Sequence, residues 1–230
     1  MRIEGVLFDL DATLINLGGY VDWKEAHKLA YETYISCGCS AQVVSRCGRQ
    51  GLFNMLNLVR EENSLRMNEE EVDRIQGRAF KVVERCELVG LENCSLMPKC
   101  AQTLDRLKSS GLSIGVCTSN SQLVAEKALE SHGIRHYFSS VVGRRSELRM
   151  KPYPDQLLKC LKEIGVDPMY GVMVGDSIKD VQAAKSIGLF SVSIPSYFTS
   201  RRILEENGTD AILEGLEELP HLINRVNKFR

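Results

Sequence analysis

From Leu112 to the C-terminal region, short apolar segments alternate with amphipathic segments, several of which end at a glycine. The apolar segments predict strands over Leu112–Cys117, Tyr137–Val142, Tyr170–Val174, Leu189–Ile194 and Asp210–Leu213. The intervening segments predict helices over Ser121–Ser131, Asp155–Ile164, Ile178–Ile187 and Ser200–Asn207, with a terminal helix from Leu216. Alternation of this kind is typical of a parallel sheet with helices on both faces.

The N-terminal part of the chain predicts one more strand, followed by a region of helices only. Ile3–Phe8 predicts a buried parallel strand. Helical spacing follows over Trp23–Ile35, Gln50–Arg60 and Asn68–Cys86, and Pro98 opens a helix over Lys99–Ser109. We therefore predict an α/β fold, a Rossmann-like parallel sheet core of residues 1–16 and 98–230 with an inserted all-helical cap domain of residues 17–97.

Composition limits the class of protein. The 230 residues are 43% hydrophobic, enough for a packed core, and 29 basic residues against 30 acidic ones give a net charge of -1. Without a basic stripe, we expect no nucleic-acid partner. Without a signal-like N-terminus or a long apolar segment, we expect no membrane association and a cytoplasmic location. The 8 cysteines are scattered, which favours reduced thiols.

Two carboxylates, Asp9 and Asp11, directly follow the first predicted strand. Reactive groups in open α/β sheets lie beyond the carboxyl ends of the strands. Residues i and i+2 of an extended chain point the same way, so both carboxylates could face one pocket. A hard cation such as Mg2+ would offset their repulsion and could also bind a substrate phosphate. The alternative for this pattern alone is a solvated Asp-rich turn.

Two further strands end in reactive groups. Thr118-Ser119-Asn120 follows the second predicted strand just before a helix, where hydroxyl and N–H groups can bind a phosphate. Asp176 follows the strand Tyr170–Val174, and Asp180 lies one helical turn later. Lys151 precedes two prolines that restrict its segment. Each feature alone has a structural explanation, as a helix cap or a surface lysine, but all are predicted at one edge of the sheet.

Four motifs in this order resemble those of the haloacid dehalogenase superfamily, whose members are mostly phosphatases. The motifs are Asp9-Leu10-Asp11-Ala12-Thr13, Val116-Cys117-Thr118, Lys151-Pro152, and Gly175-Asp176-Ser177 with Asp180. The inserted helical cap is similar to that of the subgroup containing phosphoglycolate phosphatases and beta-phosphoglucomutases. The resemblance covers the whole predicted core.

This resemblance implies a role for each acidic residue. Asp9 would be the nucleophile that forms an aspartyl-phosphate, and Asp11 the general acid and base. Mg2+ would be held by the Asp9 carboxylate, the backbone carbonyl of Asp11 and the Asp176 carboxylate, with Asp180 as an outer ligand or an anchor.

The resemblance also implies that Thr118, Ser119 and Lys151 bind the phosphoryl oxygens. The chain departs from the family at Ala12, where members usually have glycine. Alanine is acceptable there at negative φ but strained at positive φ. Dehalogenases of the superfamily typically lack the second acid of the first motif, so Asp11 favours phosphate chemistry.

The function predicted from these residues is a Mg2+-dependent phosphatase acting on a small phosphorylated metabolite. A phosphosugar mutase with the same aspartyl-phosphate, or a non-catalytic regulatory relative, are the alternatives. Arg46, Arg49 and Arg60 of the predicted cap are candidates for contacting a substrate carboxylate or second phosphate, although a solvated helix face is the more common reason for such residues. The substrate and the oligomeric state stay open.

Overall fold

The computed structural model describes residues 2–229. Within this range six strands form one sheet, in the order β3-β2-β1-β4-β5-β6. The strands are β1 (Gly5–Phe8), β2 (Ser113–Ser121), β3 (Ser140–Arg144), β4 (Gly171–Gly175), β5 (Phe190–Ser193) and β6 (Ala211–Ile212). All neighbouring strands pair in parallel. The predicted α/β class with a Rossmann-like parallel sheet is confirmed.

Ten α-helices are found in the described residues, and short 3-10 turns connect several of them. The helices are α1 (Trp23–Ser36), α2 (Ala41–Gly48), α3 (Leu52–Ser64), α4 (Glu69–Leu91), α5 (Cys100–Ser109), α6 (Gln122–Ser131), α7 (Asp155–Ile164), α8 (Ile178–Ser186), α9 (Arg201–Glu206) and α10 (Leu219–Phe229). Helices α1 to α4 lie in the predicted cap, where α2 was not foreseen. The domain limits 1–16, 17–97 and 98–230 stay a prediction.

Strand β1 lies in the middle of the sheet, between β2 and β4. Its alternate residues pack on opposite faces: Val6 and Phe8 contact the cluster formed with α5, α6 and α10, and Leu7 contacts the cluster formed with α7 and α8. The chain adds β2 and β3 on one side of β1 and β4 to β6 on the other. The order therefore reverses beside β1, which is where open α/β sheets form their ligand crevice.

A separate hydrophobic cluster, here called the cap cluster, holds α1 to α4 together. It contains buried residues of all four helices and one residue from the other part of the chain, Met150. Asn57 of α3 also donates a hydrogen bond from Nδ2 to Met150 O and accepts one at Oδ1 from Met150 N, each at 3.3 Å. The segment between β3 and α7 is thus packed into the cap.

The C-terminal end of β2 differs from the prediction. We predicted a strand ending at Cys117, with Thr118-Ser119-Asn120 at a helix N-terminus, but β2 continues to Ser121. Ser121 is the residue that caps α6, accepting a hydrogen bond at Oγ from Val124 N at 3.1 Å. Strand pairing with β3 resumes at Ser121 after a register shift, so this polar segment is held by the sheet.

None of the helices in residues 2–229 combines the length and the apolar character required to cross a membrane. The eight cysteines, all within that range, are free thiols.

Candidate active site

Lys151 lies at the carboxyl end of β1, buried between two carboxylates. Its Nζ is 2.5 Å from Asp180 Oδ1 and 2.9 Å from Asp9 Oδ1. Asp180 is held in turn, because its Oδ2 accepts hydrogen bonds from the N–H and hydroxyl of Ser177 at 3.1 and 2.5 Å. Asp180 therefore fixes the ammonium beside Asp9. Burial raises the pKa of Asp9, while the ammonium of Lys151 opposes that effect.

Asp176 faces Asp9 from the end of β4. Oxygen atoms of Asp9, Asp176 and Asp180 lie within 4.8 Å of one another. The second oxygen of Asp176 accepts a hydrogen bond from Ser196 Oγ at 2.6 Å, which orients the carboxylate. Burial, with the charges of Asp9 and Asp180, raises the pKa of Asp176 to about 8.

A divalent cation fits this group of acids. Asp9 Oδ1 is buried and accepts no hydrogen bond of good geometry from residues 2–229, although the Lys151 ammonium is close. When all are ionised, the four carboxylates of Asp9, Asp11, Asp176 and Asp180 outnumber the two lysines of the site, Lys151 and Lys179, by two negative charges. Closely placed carboxylate oxygens are the ligands that Mg2+ prefers.

Asp11 lies two residues beyond Asp9 and is fixed by the segment that leads into the cap. Its Oδ1 accepts a hydrogen bond from Gly18 N at 2.7 Å. A Cβ on Gly18 would lie 2.4 Å from Asp11 Oδ2, so only glycine permits this approach. Burial raises the pKa of Asp11 to about 7. A carboxyl group with that pKa can give and take a proton near neutral pH.

Thr118 is buried near the end of β2, and its hydroxyl is hydrogen-bonded to Asn120. Thr118 Oγ1 donates a hydrogen bond to Asn120 Oδ1 at 3.0 Å and accepts one from Asn120 N at 3.2 Å. Ser119, between them, is partly exposed. The segment lies directly before α6, as we predicted, but it forms the end of β2.

A buried ion pair holds this segment from behind. Glu87 of α4 and Arg144 at the end of β3 form two hydrogen bonds, of 3.0 and 2.8 Å, and both side chains are fully buried. The Glu87 carboxylate also accepts hydrogen bonds from Asn120 Nδ2 at 3.0 Å and Ser121 N at 3.3 Å. Arg144 donates to Ser119 O at 2.8 Å. Nothing in the sequence motifs pointed to this pair.

A cavity of about 500 Å³ opens above these groups, between the sheet and the cap helices. It is lined by all the predicted site residues except Asp180, which lies behind Lys151: Asp9, Asp11, Thr118, Ser119, Lys151 and Asp176. Nine residues that we had not assigned to the site also line it, among them Trp23, Phe53 and Lys179.

The cap arginines lie outside this cavity. Arg46 forms an ion pair with Glu62, and Arg60 contacts Asp73 and the carbonyl of Ser146. Trp23 lines the cavity and also packs against the cap cluster, whereas Tyr34 is fully buried in that cluster.

Comparison with known proteins agrees with the motifs. The family model described as haloacid dehalogenase-like hydrolase matches residues 6–194. The chain belongs to the haloacid dehalogenase-like hydrolase family. The predicted superfamily is confirmed, and the match spans both the strands that carry the acids and the inserted helices.

Other members of the family resemble the chain over nearly its whole length. The phosphoglycolate phosphatase of Escherichia coli K12 is 28% identical over 251 residues, covering 98% of this chain and 97% of that protein. The pyrophosphatase PpaX of Bacillus velezensis is 27% identical over 223 residues, covering 96% of each. The solved structure of CbbY from Rhodobacter sphaeroides in complex with phosphate has a TM-score of 0.61 at 22% identity, covering 95% of this chain and 96% of that one, which supports the fold.

Proposed function

We propose that this member of the haloacid dehalogenase-like family is a Mg2+-dependent phosphatase that hydrolyses a small phosphorylated metabolite through an aspartyl-phosphate. The observation that carries the proposal is the convergence of Asp9, Lys151 and Asp176 at the floor of one cavity. Relatives named as phosphoglycolate phosphatase and pyrophosphatase, similar over nearly the full length, support phosphoryl transfer.

In the first half-reaction an oxygen of Asp9 attacks phosphorus, and the bond from phosphorus to the leaving oxygen breaks. Asp11, whose pKa near 7 leaves it partly protonated at neutral pH, donates its proton to that leaving oxygen. The products of this step are a free alcohol and a phosphoryl group bound to Asp9. The covalent intermediate divides one large activation barrier for hydrolysis into two smaller ones.

In the second half-reaction Asp11, now ionised, accepts a proton from a water molecule. The resulting oxygen attacks phosphorus and the bond to Asp9 breaks, which releases inorganic phosphate and regenerates the Asp9 carboxylate. The hydrogen bond from Gly18 keeps the Asp11 carboxylate in one place for both transfers.

The remaining residues have electrostatic tasks. Lys151 and the polar groups of Thr118 and Ser119 would bind phosphoryl oxygens and stabilise the charge that develops on them. Asp9, the Asp11 backbone carbonyl and Asp176 would hold Mg2+, with Asp180 behind them fixing Lys151. When bound, the ion supplies positive charge that lets an anionic carboxylate approach an anionic phosphate.

The cavity walls favour a phosphatase over a phosphosugar mutase. The walls that the cap contributes are the apolar side chains of Trp23, Leu52 and Phe53. A sugar ring presents many hydroxyl groups, and these three side chains supply no free hydrogen-bonding group for them, because the Trp23 N–H already donates to Gly18 O. The intact set of acids and the buried lysine give no support to a non-catalytic relative. A cytoplasmic location stays a prediction.

The test of the proposed function is turnover of p-nitrophenyl phosphate by the wild-type protein and by Asp9→Asn. We expect hydrolysis that requires Mg2+, stops with EDTA, and falls roughly a thousandfold or more in Asp9→Asn, because the variant lacks the nucleophile. Asp105→Asn, which changes an exposed aspartate on α5, is the matched control and should retain wild-type turnover. Undiminished hydrolysis by Asp9→Asn, or equal rates with and without metal, would refute the mechanism.

A further inference from the structure

The site cavity contains a second lysine that the proposed chemistry does not use. Lys151 and Lys179 are the two lysines of the cavity wall. Lys151 is occupied by its ion pairs with Asp9 and Asp180. Lys179 lies in the first turn of α8 and is partly buried, yet no carboxylate of residues 2–229 lies within ion-pair distance of its ammonium group. A cation that lines a cavity and has no anionic partner in the protein can bind the anionic group of a ligand.

Aromatic side chains from the cap fix the position of this ammonium group. Lys179 Nζ lies 5.4 Å from the centre of the Phe53 ring, a cation–π contact that reaches across the cavity from α8 to α3. Phe53 packs edge-on against Trp23, with ring centres 5.4 Å apart. Trp23 Nε1 donates a hydrogen bond to Gly18 O at 3.0 Å. The lysine is therefore held by a series of contacts that ends at the segment binding Asp11.

The surroundings of Lys179 define what it can bind. The phosphoryl group would occupy the floor of the cavity, at Asp9, Thr118 and Lys151. The rest of the substrate would then lie among Trp23, Leu52, Phe53, Ile178 and Phe198, with Lys179 as the cation in this region. A short carbon chain or a bridging oxygen suits such walls, and a terminal anion suits the ammonium.

We propose that Lys179 binds a second anionic group of the substrate, so that the enzyme selects small phosphate compounds carrying a second negative charge, as a carboxylate or another phosphate. This inference rests on the proposed phosphatase function and specifies its substrate class. Lys179 is a specificity-determining residue that contacts the part of the substrate distant from the reacting phosphorus.

The kinetic test compares substrates that differ in the second anion. 2-Phosphoglycolate has a carboxylate, pyrophosphate has a second phosphate, and ethyl phosphate has neither. For the preferred compound with a second anionic group, we expect Lys179→Met to lower kcat/KM about 10- to 100-fold more than it does for ethyl phosphate, since a charged hydrogen bond is lost. Lys179→Arg should restore most of the preference, because it keeps the charge. If kcat/KM falls more for 2-phosphoglycolate, the second anion is a carboxylate. If it falls more for pyrophosphate, the second anion is a phosphate.

A matched control lies on the same helix. Lys185 of α8 is exposed and lies outside the cavity wall. Lys185→Met should leave unchanged the ratio of kcat/KM for 2-phosphoglycolate or pyrophosphate to that for ethyl phosphate. If Lys179→Met lowers kcat/KM equally for all three compounds, or for none, the proposed recognition of a second anion is wrong.

A binding measurement separates this inference from the proposed catalysis. Titration calorimetry with Asp9→Asn in Mg2+ needs no turnover. We expect 2-phosphoglycolate or pyrophosphate to bind Asp9→Asn at least about tenfold more tightly than Asp9→Asn/Lys179→Met. Equal affinities would overturn the role of Lys179 even if the wild-type enzyme hydrolyses phosphates. A clear difference without any hydrolysis by the wild-type protein would support the anion site and refute the phosphatase mechanism.

Discussion

The backbone at Ala12 shows how one residue departs from its family without losing the local structure. Ala12 has φ of 58°, in the left-handed region where glycine is favoured. The conformation is held because Ala12 N donates a hydrogen bond to Ile15 O at 2.7 Å. Its methyl group is buried. The turn beside Asp11 is therefore strained. This is the outcome that we predicted for an alanine at positive φ.

Substitutions at Ala12 should separate strain from burial. Glycine would relieve about 1–2 kcal/mol of strain, but would lose a buried methyl group and gain unfolded-state entropy, each worth up to about 1 kcal/mol. We expect Ala12→Gly to change the free energy of unfolding by less than about 1 kcal/mol. Ala12→Val should cost about 2 kcal/mol or more, since a β-branched residue is an outlier at this φ. Urea denaturation in Mg2+ measures both; equal stability of the two variants would contradict the expectation.

The residues of the site differ in how well the sequence reveals them. Asp9, Asp11, Asp176 and Lys151 follow predicted strands or precede prolines, so their common location follows from the sheet. Lys179 has no such signal, because a lysine in the first turn of a helix is usually solvated. Its position depends on the contact with Phe53 of the cap, more than 100 positions earlier in the sequence. That contact exists only in the folded molecule.

At the scale of elements, α4 joins the cap to residues 118–121, the segment that we propose binds phosphate. Glu87 of α4 accepts hydrogen bonds from Asn120 and Ser121, and Asn120 holds the Thr118 hydroxyl. Arg144 completes the arrangement from β3. Removing a partner from groups buried this deeply is costly, because the remaining group is left unpaired.

Replacing Glu87 should affect both stability and catalysis. Glu87→Gln leaves the Arg144 charge buried without an anion, and we expect a loss of roughly 3–5 kcal/mol in the free energy of unfolding. The double variant Glu87→Leu/Arg144→Met should recover much of that loss, because apolar residues of similar size need no partner. It should still hydrolyse p-nitrophenyl phosphate more slowly than wild type, since Asn120 Nδ2 and Ser121 N lack their acceptor. A double variant with wild-type kcat/KM would show that the pair serves stability alone.

Elements of the core were predicted more completely than those of the cap. The predicted strands are short, largely apolar segments that alternate with amphipathic helices, a pattern that tertiary contacts reinforce. Helix α2 was missed because two adjacent valines give it a low helix propensity. It forms because Val44 and Cys47, one turn apart, are both buried in the cap cluster. The extension of β2 was missed because polar residues at a strand end resemble a loop.

For the molecule as a whole, the crowding of carboxylates has a consequence for stability. Asp11 and Asp176 have pKa values of about 7 and 8 in the metal-free fold, against 3.8 in an unfolded chain. Between about pH 4 and pH 8 the folded protein therefore binds more protons than the unfolded protein. The stability that these groups contribute is present at low pH and is lost as pH rises through 7 and 8.

The free energy of unfolding in EDTA should therefore be lower at pH 8 than at pH 6, with a slope of at most about 1.4 kcal/mol per pH unit for each group. Mg2+ should reduce this fall, because bound positive charge favours ionised carboxylates. Urea denaturation at both pH values, with EDTA or Mg2+, measures the effect. Asp176→Asn should flatten the slope in EDTA, whereas Asp105→Asn should keep it. Stability that rises from pH 6 to pH 8 in EDTA would contradict the prediction.

Because Met150 packs in the cap cluster, a movement of the cap helices is coupled to a movement of the segment that carries Lys151. Met150 is the neighbour of Lys151, and Asn57 binds its backbone on both sides. If the cap helices move away from the sheet to admit a substrate, Met150 must either move with them or lose its contacts with the cap cluster. In the first case Lys151 would leave its position beside Asp9, so the open form would lack the arrangement that the proposed catalysis requires.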